Sequence, residues 1–307
     1  MSADFKFLMI SAMYENGGNT TQRLLDGHPQ LLVYPFESQL GTRLVVDGLS
    51  SVFPVKYRWP VFALDAGPKD DYQAIIDEEA KVRSRTPDVS KFRHVEFVMS
   101  DDERRDIYVK MVEEAGRSRA NNVAAFFQAT FEAWKNFQRT SEQSIYVGYS
   151  PIIAVDAARI LDELAGAHVL SVMRNPWSAY AETKRRPVPL SLPHYMLGWT
   201  LHQQYSLRLA KAYPTRFHIL RFEDLVVAPR KVLREMGRQI GYDDSEYLAA
   251  PSWNGIPLNE VYPWGTIRKA TPEANRETAL TLSDEERAQV GAYAALYLDA
   301  LDYRHFL

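Results

Sequence analysis

The chain has 307 residues, 46% hydrophobic and 24% charged, with a net charge of −3 and no cysteine. A chain of this length buries a large core unaided, and the missing cysteines exclude disulfides, thiolate-held zinc, Fe–S clusters and a thiol nucleophile. The near-neutral charge gives no global field for nucleic acid or an anionic membrane, so a polyanionic ligand must be held by a local basic site.

The first residues, MSADFKFLMIS, lack the basic-then-apolar pattern of a secretory signal. No apolar run approaches the roughly 18 residues that span a bilayer. The expectation is a soluble, cytoplasmic protein without a membrane partner. Residues 5–11 (FKFLMIS) predict a strand, followed by a Gly- and Asn-rich turn and a helix over 20–25. Residues 31–34 predict a second strand, closed by Pro35. Strand, helix, strand in that order predicts a parallel pair with a crossover helix.

Pro54, Pro60 and Pro68 break any long element before a mostly helical stretch at 70–138, with helices over 70–82, 102–115 and 122–137. It lies between strand candidates, so it reads as an insertion or lid. The rhythm then resumes: strand 144–148, helix 152–164, strand 168–173, helix 176–186, helix 195–213, strand 217–222 and helix 229–240. Residues 251–276 read as irregular, and Ser283 with Glu286 forms a capping box opening a last helix. The sum is one α/β domain over 1–307, with a central parallel sheet flanked by helices.

Four segments can carry chemistry. In residues 11–21 (SAMYENGGNTT), a Gly-rich turn feeds a helix N-terminus. Backbone N–H groups there can cradle a phosphate, with Asn16, Gly17, Gly18, Asn19, Thr20 and Thr21 as the candidates. A plain tight turn needing positive φ accounts for the glycines equally well. The Lys of a Walker A motif is missing. In residues 172–178 (VMRNPWS), Arg174 falls at the carboxyl edge of the sheet, with Ser178 close behind. A guanidinium there suits a phosphate; a surface Arg before a helix-opening Pro is the alternative. In residues 221–225 (RFEDL), Glu223 and Asp224 read as a structural marker at a helix start. In residues 264–269 (WGTIRK), Arg268 and Lys269 form a basic loop, either a nucleotide clamp or solvated charge.

In this order the segments resemble the sulfotransferases that use 3′-phosphoadenosine 5′-phosphosulfate (PAPS). Residues 12–29, ending LLDGHP, resemble the phosphosulfate loop and its helix; Arg174-Asn175-Pro176 resembles the 3′-phosphate motif; residues 222–225 and 148–151 resemble two further elements. The resemblance covers about 5–275 and implies a P-loop NTPase-like fold, PAPS as co-substrate and PAP as product, with no metal required. Against the family pattern, the loop Arg or Lys falls on Glu15, the GxKSP lysine on Tyr149, and the serine after the 3′-phosphate motif on Glu182. Arg23, Lys184, Arg185 and Arg186 are the residues that can supply the missing cation.

A general base must take the acceptor proton. Glu37, just past the second strand, is the first candidate, and a helix-initiating Glu is the alternative; Glu15 and His94 come next. Tyr and Trp within 55–62 and 253–264 suit stacking on a sugar or packing in an aromatic core. The implied acceptor is a hydroxyl or amine of a carbohydrate or small natural product. Two other readings stand beside it: a P-loop kinase-like transferase, which wants a loop Lys and a Walker-B carboxylate, and a non-catalytic nucleotide-binding protein.

Overall fold

The computed structural model describes residues 4–38, 40–45, 47–52, 58–89, 93, 95–258 and 271–307. The first part forms β1 (Lys6–Ala12), α1 (Gly18–Leu25), β2 (Leu31–Val33) and α2 (Gly48–Val52). The helical stretch follows as α3 (Pro68–Ala74), α4 (Glu78–Arg85), α5 (Asp101–Ala115) and α6 (Arg119–Ala133). Next come β3 (Ile145–Pro151), α7 (Ala157–Glu163), β4 (Ala167–Met173), α8 (Pro176–Thr183), α9 (Leu192–Ala212) and β5 (Phe217–Arg221). The chain ends with α10 (Phe222–Val227), α11 (Pro229–Ile240), β6 (Ser252–Trp253), β7 (Ile256–Pro257), α12 (Pro272–Leu280) and α13 (Asp284–Leu298).

Strands β1 to β5 pair all-parallel in the order β2-β3-β1-β4-β5. From β1 the chain first crosses to the β2 side and later to the β4 side. Its connections therefore diverge at the carboxyl end of β1, the topological switch point where open α/β sheets bind ligands. Every residue of β1 after Lys6 is buried. Phe7 and Met9 pack with Phe126 and Phe127 of α6, whereas Leu8 and Ile10 pack with Leu24 and Leu25 of α1 and Leu233 of α11. Covering both faces explains why β1 is a continuous apolar run rather than an alternating one. A third cluster gathers α8, α9, α12 and α13 around Tyr195, Trp199 and Tyr303.

The predicted α/β architecture and helical insertion are both present, with differences that have local causes. The helix predicted over 70–82 is broken, because Ile76 N–H leaves the helical ladder for Gly41 O at 2.8 Å. The helix predicted to run to 137 ends at Ala133; Trp134 bridges to Met99, and Lys135 N–H bonds Val98 O at 2.8 Å. The strand predicted over 217–222 stops at Arg221, and Phe222 opens a helix. Part of the stretch expected to be irregular is ordered: Thr271 caps α12, accepting from Ala274 N–H, with Pro272 in the first turn.

One buried ion network fastens the insertion to the sheet. The Arg104 guanidinium, fully buried on α5, meets Asp77 at 2.7 Å and Asp101 at 2.9 Å, and donates to Tyr72 Oη at 2.6 Å. Tyr34, just beyond β2, donates to Asp77 at 2.9 Å.

Beneath the switch point, His202 of α9 lies fully buried, with Nε2 3.2 Å from Ser11 Oγ and 3.3 Å from Ser171 Oγ. Burial pulls its pKa down to about 3. His168 is likewise pulled to about 4, by burial and then by the neighbouring His218. An unfolded histidine takes a proton near pH 6.5, but folded His202 refuses it until far lower pH. Its contribution to stability is thus fully present above pH 6.5 and lost as pH falls from there toward 3, by up to ~1.4 kcal/mol per pH unit. Urea midpoints should therefore fall between pH 7.5 and 5.5, above the carboxylate range, and His202→Asn should flatten that slope. Equal midpoints at the two pH values would contradict this.

Among the described residues no helix is long and apolar enough to cross a membrane.

Candidate functional site

The loop after β1 occupies the switch point. Glu15 and Gly17 both take positive φ, 60° and 91°, and α1 starts at Gly18. Glycine is required at 17 twice over: a Cβ there would also sit 2.2 Å from the Phe222 ring. A Cβ on Gly18 would sit 2.4 Å from the Tyr149 ring. The two glycines therefore let the backbone pass tightly between β3 and α10. Thr21 spends both its N–H and its hydroxyl on Gly17 O, at 2.9 and 3.0 Å. The N–H groups of Gly18, Asn19 and Thr20 have no partner among the described residues. No acidic residue in that first turn offsets the positive end of the helix dipole.

Asn16 is fully buried and holds the loop to β4. Its Nδ2 donates to Tyr14 O at 2.9 Å and Tyr195 Oη at 3.0 Å, while its Oδ1 accepts from Arg174 N–H at 3.0 Å. Its own N–H bonds Met13 O. All its polar groups that point to the loop are thus engaged inside the protein, so it orients the loop rather than offering a side chain to a ligand.

Arg174 lies at the end of β4, beside that loop. Nε donates to Asn275 Oδ1 at 2.8 Å, Nη1 donates to Glu15 O at 2.9 Å, and the guanidinium stacks on Phe222 at 4.9 Å. Nη2 has no hydrogen bond among the described residues. Burial lowers the Arg174 pKa, and the carboxylates of Glu182 and Glu223 oppose that. Ser178, expected to offer its hydroxyl, is instead fully buried and donates to Asn275 O at 2.7 Å. The reason is α12, which packs on α8 and brings Asn275 across it.

Comparisons with known proteins meet this geometry at the level of fold. No protein-family model matches the chain, and no curated protein matches it in sequence. Among solved structures, the sulfotransferase domain of the Synechococcus PCC 7002 olefin synthase matches over 95% of each chain, with TM-score 0.53 at 17% identity. The chain has the sulfotransferase fold. A sulfotransferase domain from the curacin biosynthetic pathway covers 95% of this chain and 98% of its own, with TM-score 0.48 at 14% identity. A sulfotransferase from Mycobacterium avium covers 97% and 77%, with TM-score 0.46 at 14% identity.

On this sulfotransferase fold the two expected cation positions are filled otherwise. Tyr149 is buried under Gly18; burial, then the charges of Glu37 and Glu15, push its hydroxyl well above the ordinary range. Glu15 points outward, 37% exposed, with its carboxyl raised by desolvation in the crowded loop, lowered by Arg186 and raised again by Glu182. Glu37 is half-buried beside Ser38, which pins that segment to β3: Ser38 N–H donates to Tyr149 O at 2.7 Å, and Tyr149 N–H to Ser38 Oγ at 3.0 Å. Its charge raises the Tyr14 and Tyr149 hydroxyls, so it lies within electrostatic reach of the loop. Arg268, Lys269 and His94 lie outside the described residues.

Glu223, taken from sequence as a helix-start marker, is a hub. Its Oε1 accepts from Asn175 N–H (3.1 Å), Asn175 Nδ2 (2.8 Å) and Asn275 Nδ2 (3.0 Å), and its Oε2 accepts from Tyr303 Oη at 2.8 Å. Asn275 itself escaped the sequence reading. The Thr271-Pro272 helix-start signature was the available signal, and the Pro- and Gly-rich surroundings masked it.

Proposed function

We propose that the protein is a PAPS-dependent sulfotransferase acting on a hydroxyl or amine of a carbohydrate or small natural product, with the whole chain as one catalytic unit. The observation that carries this is the pairing, at one switch point, of two anion-binding features: the unpartnered N–H groups of Gly18 to Thr20, and Arg174 with its outer nitrogen unspent. A donor with phosphates at both its 5′ and 3′ ends matches two such features. The α1 N-terminus would take the 5′-phosphosulfate, with Thr20 adding a hydroxyl. Arg174 would take the 3′-phosphate, joined by Arg268 and Lys269. Ser178 and Asn16 would hold that frame in place.

Chemically, the Glu37 carboxylate takes the proton of the acceptor O–H or N–H. The acceptor atom then bonds to sulfur, and the bond from sulfur to the 5′-phosphate oxygen breaks, leaving its electron pair on PAP. The N–H groups at α1 stabilise the charge growing on that oxygen, so rate comes from positioning and preorganised dipoles.

A thermal-shift comparison tests the reading. PAP should raise the melting temperature by several degrees at saturating concentration, ATP with Mg²⁺ should not, and Arg174→Ala should lose the PAP shift. A preference for ATP would replace this reading with a kinase-like transferase. Tyr149 and Glu15 at the expected cation positions favour a non-catalytic nucleotide-binding protein as the second reading, which predicts PAP binding without turnover.

A further inference from the structure

We propose that Arg186 supplies the cation at the transferring sulfo group, and that Glu15 holds it in waiting until the donor arrives. This rests on the sulfotransferase reading above. Four basic residues are candidates to replace the missing loop cation from another position, and their surroundings separate them. Arg23 is buried on the inner side of α1, donating to Tyr34 O at 3.3 Å and stacked on Trp253 at 5.1 Å. Lys184 pairs with Glu286 at 2.6 Å, and Arg185 with Glu182 at 3.2 Å. Arg186 alone of the four turns to the loop, with Nε 3.9 Å from Glu15 Oε1 and its guanidinium 5.0 Å from the Tyr14 ring centroid.

Its backbone is fixed for this task. Arg186 N–H bonds Thr183 O at 3.2 Å, and Pro187 stops the chain from continuing the helix. Arg174 and Arg186 thus flank the same short helix, α8, one before its start near the 3′-phosphate feature and one past its end over the β1 loop. The charge of Arg186 acts on Tyr14, Glu15, Tyr149 and Tyr195, which surround the loop mouth.

The side chain is also uncommitted. It is 40% exposed and its guanidinium makes no hydrogen bond among the described residues, only the long Glu15 pair. An exposed pair of that kind favours contact by about fivefold at most. A charge-assisted hydrogen bond to a phosphosulfate oxygen is worth about tenfold to a hundredfold. The polyanion therefore wins the arginine from Glu15. The Tyr14 ring keeps the guanidinium over the loop during the exchange. An ordinary loop lysine is fixed beside the phosphosulfate; here the cation swings in from the turn after α8, and a carboxylate occupies the fixed position.

Calorimetric titration with three adenosine nucleotides tests this without knowledge of the acceptor. The probes are PAP, adenosine 5′-phosphosulfate (no 3′-phosphate) and adenosine 3′-monophosphate (no 5′ group). Arg186→Gln should weaken the first two by about tenfold to a hundredfold and leave the third unchanged. Arg186→Lys should recover part of the loss. Glu15→Gln should tighten PAP by about threefold or more, since a like charge leaves the site. In the Glu15→Gln background, Arg186→Gln should still weaken PAP, because Arg186 meets the ligand itself. Loss of the Arg186 effect in that background would reduce it to a partner of Glu15 and overturn the inference. So would an unchanged PAP affinity, or equal weakening of all three probes. If the wild-type protein binds none of the probes, the sulfotransferase reading fails as well; if it binds PAP and Arg186→Gln binds PAP equally tightly, the inference alone fails.

Discussion

Arg104→Met should cost about 3–5 kcal/mol of stability, the range for removing one partner from a buried ion network. Asp77 would be left buried without its guanidinium, Asp101 would keep only Arg85 as a cationic partner, and Tyr72 Oη would lose its 2.6 Å donor. Burial alone would raise the Asp101 carboxyl; Arg104, with Tyr72 and Arg85, outweighs this and holds it below its ordinary value. A lowered carboxylate stabilises the fold at neutral pH and loses that contribution only as pH falls through its folded-state value. The deficit of Arg104→Met should therefore shrink in strong acid. Urea unfolding at pH 7 and below pH 4 measures both parts. Adding Asp77→Asn should recover some stability, because one stranded charge is removed. A loss under ~1 kcal/mol at neutral pH would mean that the network does not fasten the insertion.

Glu37→Gln should lower turnover by about 10²- to 10⁴-fold, the range for removing a general base. PAP affinity should stay within about twofold, since the change is isosteric and Glu37 lies on the segment after β2 rather than on α1, α8 or the loop between β1 and α1. Single-turnover measurement with saturating PAPS separates the two effects. Wild-type turnover by Glu37→Gln would remove it from the role and move attention to Glu15, whose raised carboxyl also suits proton transfer.

The fold was legible because its strands are buried on both faces. Continuous runs such as FKFLMIS and HVLSVM leave few alternatives, and the turn chemistry between them is local. Boundaries were less legible where a tertiary bond overrode the helix pattern, as at Ile76 and Lys135. The positions of the loop and Arg174 followed from strand order. The roles of Asn16, Ser178 and Glu223 did not, because each depends on partners more than 40 residues away, which no local pattern encodes. The same holds for Arg186: in sequence it is one of three adjacent basic residues, and only the direction of each side chain tells them apart.

The most direct measurement is a single-turnover incubation of the purified protein with sulfur-35-labelled PAPS and a panel of sugar, phenol and amine acceptors. Label should appear in an acceptor, with one PAP formed per sulfo group moved, and with strong loss in Arg174→Ala and Glu37→Gln. PAPS that stays intact on the protein across the panel, or label release that both variants leave unchanged, would contradict it.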